Sequence, residues 1–196
     1  MKSNCINERY NSAKAGCGHA ISCTYTDKED VPVSGILGEF FIQDINTGEI
    51  LQDWTHNLIV TDFGRLLAAL VKGHAGIAGA QYWEIGSGLV AWDSNPAQPS
   101  VSDTQLTTPL VRVPVQIWFL DINNNRISDP AIITNKLELE ATFNESTGNG
   151  EWREFGIFGG NTSGALGSGI MCDKVIHPVI DKTANMSIIR RLRFTF

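Results

Sequence analysis

Glu151-Trp152-Arg153-Glu154-Phe155-Gly156-Ile157-Phe158 decides how this chain folds. Trp152, Phe155, Ile157 and Phe158 stand among Glu151, Arg153 and Glu154, directly after the turn-forming run Ser146-Thr147-Gly148-Asn149-Gly150. Bulky residues of high strand preference behind such a run read as a strand leaving a tight turn. The closing segment Ile188–Phe196 supports the same reading. There Ile188, Arg190, Leu192, Phe194 and Phe196 share one face, and Ile189, Arg191, Arg193 and Thr195 share the other. The alternation reaches the last residue, so this end of the chain is expected to be built into a sheet, with Phe194 buried.

Working outward, Gly38–Asp44, the tip Asn46-Thr47-Gly48 and Glu49-Ile50-Leu51 read as strand, turn and strand. Thr61 or Asp62 can cap a helix starting near Phe63, and Phe63, Leu66, Leu67, Leu70 and Val71 form one apolar stripe that Gly73 ends. Tyr82–Gly88 reads as a strand ending in glycines, and the Pro- and Ser-rich stretch from Trp92 to Ser102 as a surface excursion. Leu110–Leu120 reads as one long strand with Pro114 at an edge or bulge. Lys136–Phe143 alternates as a half-buried strand, and Ile170–Ile176 adds another. About eight strands and a single amphipathic helix predict a mainly β protein, a β-sandwich or jelly-roll-like domain over residues 31–196. The helix should cover one opening or face of it. Residues 1–30 are polar, lack a period of 2 or 3.6, and end in Asp27-Lys28-Glu29-Asp30; they read as an irregular N-terminal arm.

Composition narrows the function. A net charge of −6 argues against a nucleic-acid backbone as the main partner, because phosphate binding rests on Lys and Arg. No apolar run reaches the length of a membrane span, and the N-terminus lacks a signal-peptide core, so synthesis in a cytoplasm is expected. Cys5, Cys17, His19 and Cys23 could form a zinc set, but the paired Cys-x-x-Cys knuckle is missing; free or partly buried thiols are the first reading. Asp121, Asn123, Asn125 and Asp129 stand at positions 1, 3, 5 and 9 of a calcium loop. Arg126 replaces its glycine and Ile132 its bidentate glutamate, so an Asn-rich turn comes first and a cation site second. Gly86-Ser87-Gly88 lacks the outer glycines of a nucleophile elbow, and the four histidines are scattered. No catalytic constellation emerges, no cofactor is expected, and the chain is read as a non-enzyme.

Trp83, Trp118 and Trp152 lie within strand patterns and are expected in the core, leaving Trp54 and Trp92 as candidates for an exposed contact. Arg190, Arg191, Arg193 and Phe196 are candidate assembly residues. Three arginines in four positions of an acidic protein suggest pairing, within or between subunits, with Glu138, Glu140, Glu151 and Glu154.

The order of motifs completes the reading. His56-Asn57-Leu58-Ile59-Val60-Thr61-Asp62-Phe63-Gly64-Arg65 precedes the helix; Tyr82–Gly88, Ser102-Asp103-Thr104-Gln105-Leu106 leading to Arg112, Leu137–Phe143 and Gly150–Phe158 follow. Ile180-Asp181-Lys182-Thr183 and Arg193-Phe194-Thr195-Phe196 end the series. Over about residues 55–196 this resembles a group of small structural proteins of tailed bacteriophages and related contractile particles, found among tail, fibre and collar components. The resemblance implies a β-rich virion subunit without enzymatic activity, made in the host bacterial cytoplasm and incorporated into the particle. Its partners would be other virion structural proteins and further copies of itself in a symmetric oligomer docked through the arm. Residues 1–54 lie outside the resemblance and would carry attachment specificity. The competing reading is a carbohydrate- or receptor-binding module that meets a host surface glycan through Trp54 or Trp92.

Overall fold

The computed structural model describes residues 35–196. Among the described residues, ten strands form two five-stranded antiparallel sheets, with one α-helix and a short 3-10 turn. The strands are β1 (Leu37–Asp44), β2 (Ile50–His56), β3 (Leu58–Ile59), β4 (Ala78–Gly86), β5 (Pro109–Pro114), β6 (Gln116–Phe119), β7 (Lys136–Phe143), β8 (Gly150–Gly160), β9 (Ile170–Lys182) and β10 (Ile188–Thr195). Sheet A has the order β2-β1-β10-β7-β6, and sheet B the order β3-β9-β8-β4-β5. The expected mainly β architecture with one short helix is therefore present among the described residues. The C-terminal strand is the middle of sheet A, paired with β1 on one side and β7 on the other.

The two sheets face each other across a shared core. Phe40, Ile42, Leu139, Phe143, Leu192 and Phe194 of sheet A meet Trp83, Ile85, Trp152, Phe155 and Ile157 of sheet B, and all are buried. Edge-to-face contacts of Phe40 with Phe155 and of Phe143 with Trp152 lock the layers together, at centroid distances of 5.2 and 5.1 Å. Trp83 and Trp152 lie in this core as the strand patterns predict. Trp118 does not: on the edge strand β6 it is half-buried on the outer face of sheet A.

The segment Leu110–Leu120 is two strands rather than one. β5 belongs to sheet B and β6 to sheet A, and the chain changes sheets at Pro114-Val115. Proline, which has no N–H to give a ladder, marks the corner. At the opposite side Asn57 makes the equivalent passage from β2 to β3, its N–H bonding to the Gly38 carbonyl at 3.1 Å.

The helix α1 (Thr61–Lys72) starts two residues earlier than the sequence suggests, and Val60, not Thr61 or Asp62, stands at its N-cap without a side-chain capping bond. Gly73, at φ +67°, ends it in the left-handed conformation that suits glycine. Phe63 and Leu66 are buried, Leu67 is half-buried, and Leu70 and Val71 face outward. The inward side packs on β9 and β4, and Phe63 reaches Phe194 and Phe196 of sheet A, so α1 plugs one end of the sandwich. No helix among the described residues is long and apolar enough to cross a membrane.

Candidate functional site

The outer faces of the two sheets differ in kind. That of sheet B is covered by the loops of residues 87–108 and 161–169, held by buried charges. Arg153 reaches from β8 to Asp93, with Nε–Oδ1 and Nη2–Oδ2 both 2.7 Å, and also donates to Ser87 O. Glu154 accepts the Thr108 N–H at 2.8 Å, while Lys174 lies 3.2 Å from Asp103 and 3.5 Å from Glu154. Arg112, sandwiched by Tyr82 and Phe158, bonds Glu84 at 2.7 Å and gathers Thr162, Ser163 and Ser168. Val60, Leu106, Phe158 and Met171 form a small apolar cluster beneath this cover. The guanidinium and ammonium groups of Arg112, Arg153 and Lys174 are buried and each has a carboxylate partner: Glu84 of β4 for Arg112, Asp93 of the loop for Arg153, and Asp103 of the loop with Glu154 of β8 for Lys174.

Trp92 belongs to that cover. The 3-10 turn Val90–Asp93 lays its ring over Gly88, whose φ of +57° and missing Cβ make room for it, and Trp92 is half-buried.

The outer face of sheet A is left uncovered by the described residues and carries a continuous ladder of aromatic rings, guanidinium groups and carboxylates. The register places Phe41 beside Arg191 and Glu140, and Glu39 beside Arg193 and Glu138. Arg191 Nε donates to Glu140 at 2.8 Å and Arg193 Nε to Glu138 at 2.9 Å. From the β6–β7 loop Arg126 joins both carboxylates, its Nε lying 2.8 Å from Glu138. Each end closes on a tryptophan: Arg193 lies 3.7 Å above the ring of Trp54, which stacks on Phe41, and Arg126 lies 3.8 Å above Trp118. Of the carboxylates proposed as arginine partners, Glu138 and Glu140 fill that role within the subunit. Glu151 instead pairs with Arg153, and Glu154 with Lys174.

Arg190 corrects the sequence reading. It is fully buried between the sheets, in the row Ile42–Arg190–Ala141, and cannot be a surface assembly residue of this fold. Small Ala141 beside it leaves space for the guanidinium, which lies 5.1 Å from the Trp152 ring and 4.8 Å from that of Phe155. Its Nη2 donates to His177 Nε2 at 3.1 Å, while Nε and Nη1 have no hydrogen-bond partner among the described residues. Since Nε2 accepts, the imidazole proton is on Nδ1, which donates to Pro178 O at 2.7 Å. Burial, then the Arg190 charge, push the His177 pKa down to about 3. Burial takes Arg190 down to about 9. Arg190 sat on the apolar face of an alternating strand, the one signal that could have placed it inside.

Asp173 is a second buried titratable group. It accepts from Asn57 Nδ2 and from Ile157 N, both at 2.8 Å, yet burial raises its pKa to about 7. The neighbouring Cys172 is a buried free thiol, raised well above the ordinary range by the same cause.

The other candidate residues are dispersed. The Asp121 carboxylate is turned into its own loop, accepting the N–H groups of Asn123 and Asn125 and the Asn125 amide; those bonds hold its pKa below the ordinary value. Asp129 caps Ala131 N, and Asn124 takes the left-handed position at φ +64°. This is the Asn-rich turn. No group of three or more His, Cys, Asp or Glu side chains placed to hold a metal ion occurs among the described residues. Phe196 is partly exposed against Phe63 and Phe194, and its backbone is fixed by Asn135. Cys5, Cys17, His19, Cys23 and the arm of residues 1–30 lie outside the described residues. No known protein family matches the sequence, and no curated protein matches it.

Proposed function

We propose that this chain is a non-enzymatic structural subunit of a bacteriophage virion, associated with the tail, collar or fibre, that assembles as a symmetric oligomer and docks through its N-terminal arm. The observation that carries the reading is the open face of sheet A. Its Trp, Phe and Arg side chains are those enriched in protein interfaces, and its charges are already paired, so a partner could cover it without stranding an ion. The motif order over residues 55–196 supplies the virion context. The alternative, a carbohydrate- or receptor-binding module, is less well served. A sugar stacks on a bare aromatic face, and Trp54 has Phe41 on one side and Arg193 on the other, while Trp118 is under Arg126.

Sedimentation equilibrium of the full chain tests the proposal. A closed oligomer that Trp118→Glu dissociates, with far-UV circular dichroism unchanged, is the expected result. A monomer that binds host-surface glycans, and loses them on Trp54→Ala, would replace it with the alternative.

A further inference from the structure

Lys182, the last residue of β9, is only 1% exposed, yet its side chain meets no carboxylate. Nζ donates to Asn149 Oδ1 at 2.7 Å and reaches Glu145 O at 3.5 Å. Both acceptors are neutral carbonyl oxygens, so among the described residues the amine has no ion-pair partner. Lys174, the other buried lysine, differs in having Asp103 and Glu154 beside it. A buried ammonium without a counter-ion is costly, and lysine answers by giving up its proton. Burial lowers the Lys182 pKa, opposed by the charges of Glu145 and Asp44. The neutral amine that results is a nucleophile.

The group it faces is a carboxamide fixed in a tight turn. Asn149 stands between Gly148 at φ +68° and Gly150 at φ +126°, both in the left-handed region. Gly148 O accepts the Trp152 indole N–H at 2.6 Å, and the Val111 side chain fills the space a Cβ on Gly148 would need. On the far side Gly150 is the register partner of Lys182 itself, so the ladder sets amine and amide side by side. One C=O bond separates Oδ1 from Cγ, which places the carbonyl carbon at most about 3.9 Å from Nζ. A small rotation of the amide brings it to the roughly 3–3.5 Å of a near-attack contact. Asn149 is exposed, which leaves a way out for a small product.

We propose that Lys182 and Asn149 join in an intramolecular isopeptide bond. The neutral Nζ attacks Cγ, the new C–N bond forms, and the bond from Cγ to Nδ2 breaks. The departing nitrogen leaves as ammonia, with the proton that Nζ gives up; no oxidant, reductant or further reactant is needed. Glu145 and Asp44, whose charges act on the amine, are the carboxylates placed to carry that proton. The bond links positions 33 apart in the chain. It pins the end of the sandwich where the β1–β2, β7–β8 and β9–β10 turns meet, already tied by Asn46 Nδ2 to Glu145 Oε1 and to Asn185 O.

Mass spectrometry of the full chain, purified and then held at mildly alkaline pH, tests this. The expected mass is one ammonia below that of the sequence, and Lys182→Arg or Asn149→Ala restores the full value. Trypsin should spare Lys182 in the unaltered protein and release a branched peptide joining residues 137–153 to residues 175–190. That reading stands even where a variant fails to fold. A chain of full sequence mass overturns the proposal. So does a missing ammonia with Lys182 still open to trypsin, because cyclisation of Asn149 onto the Gly150 nitrogen loses the same mass and leaves the lysine free.

Discussion

Two buried groups on β9 should make the pH dependence of stability look deceptively flat. His177 has a folded-state pKa of about 3 against an ordinary 6.5, so its contribution is fully present above pH 6.5 and is lost as the pH falls through 3. Asp173 is shifted upward, to about 7 against 3.8, so its contribution is fully present below pH 3.8 and is lost as the pH rises through 7. Between about pH 4 and 6.5 the unfolded chain binds one proton more at His177 and one fewer at Asp173. The slopes are therefore about +1.4 and −1.4 kcal/mol per pH unit, and they cancel. Single substitutions uncover them. Asp173→Asn keeps the shape of the site, because turning the Asn57 amide lets its buried, unpartnered Oδ1 accept from the new amide. Stability of this variant relative to the parent should rise by about 3 kcal/mol from pH 4 to 6.5. His177→Gln keeps an acceptor for Arg190 and should show the mirror-image fall over the same range. Urea titrations at half-unit pH steps measure both, and referring each variant to the parent removes the carboxylates common to all. The double variant should be flat again, since four residues along a strand put the sites about 13 Å apart, beyond direct coupling. A pH-independent difference for Asp173→Asn would refute the reasoning, by showing that this carboxyl reaches water or a cation.

Arg190→Met should cost nothing or stabilise the fold by up to about 2 kcal/mol, because the guanidinium's burial, worth about 5 kcal/mol, offsets the lost ring contacts and His177 bond. Chemical denaturation reads this directly, and a loss above about 3 kcal/mol would reveal a partner for Nε or Nη1. Leu66→Ala should cost about 2–5 kcal/mol, and Val71→Ala less than about 0.5 kcal/mol, since Leu66 lies in the core and Val71 is 91% exposed; thermal unfolding of the two variants checks the orientation of α1. Asp93→Ala should release the Val90–Asp93 turn and leave the buried Arg153 guanidinium with only Glu151 and Ser87 O, seen as faster proteolysis near Trp92 together with a loss of about 1–3 kcal/mol in chemical denaturation.

Legibility of the fold in the sequence followed how much local pattern each element carries. β7 and β10 alternate cleanly because one face meets the core and the other the Arg–Glu ladder, and both were readable to within a residue. β3 was invisible: two residues carry no period, and Leu58-Ile59 is a strand only because β9 lies beside it. Pro114 signalled a disturbance, but a corner and a bulge leave the same mark on one strand. The helix stripe named five apolar residues, of which two are buried and two face outward, since a plug at the end of a sandwich buries a narrower face than a helix lying across a sheet. The ladder was half legible. Arg191, Arg193, Glu138 and Glu140 declared themselves by alternation, whereas Arg126 and Trp54 enter from a loop and an edge strand. The pairs Arg153–Asp93 and Arg112–Glu84 join residues 60 and 28 apart, and only the folded topology brings them together.

The surfaces of the molecule can be ranked by what a partner would have to disturb. Over sheet B, an approaching chain would displace loops held by Arg112, Arg153 and Lys174, and taking Asp93 away would leave the buried Arg153 short of its bidentate partner at a cost of several kcal/mol. On sheet A the ladder can be covered intact, but its charges already satisfy one another, so covering it adds area without new ion pairs. Among the described residues β2 pairs only with β1, and β9 beyond Lys174 only with β8, so in the seam between β2 and β9 a partner would gain ladder hydrogen bonds and apolar burial together, at an edge of the kind that other sheet proteins shield. The asymmetry originates in the two crossings. At Pro114 the chain continues into a four-residue strand, with Val111, Val113 and Val115 on the core, whereas at Asn57 it continues into only two residues before α1 takes over. Lengthening β3 along β9 would close the seam. The short connection before the helix is what keeps it open.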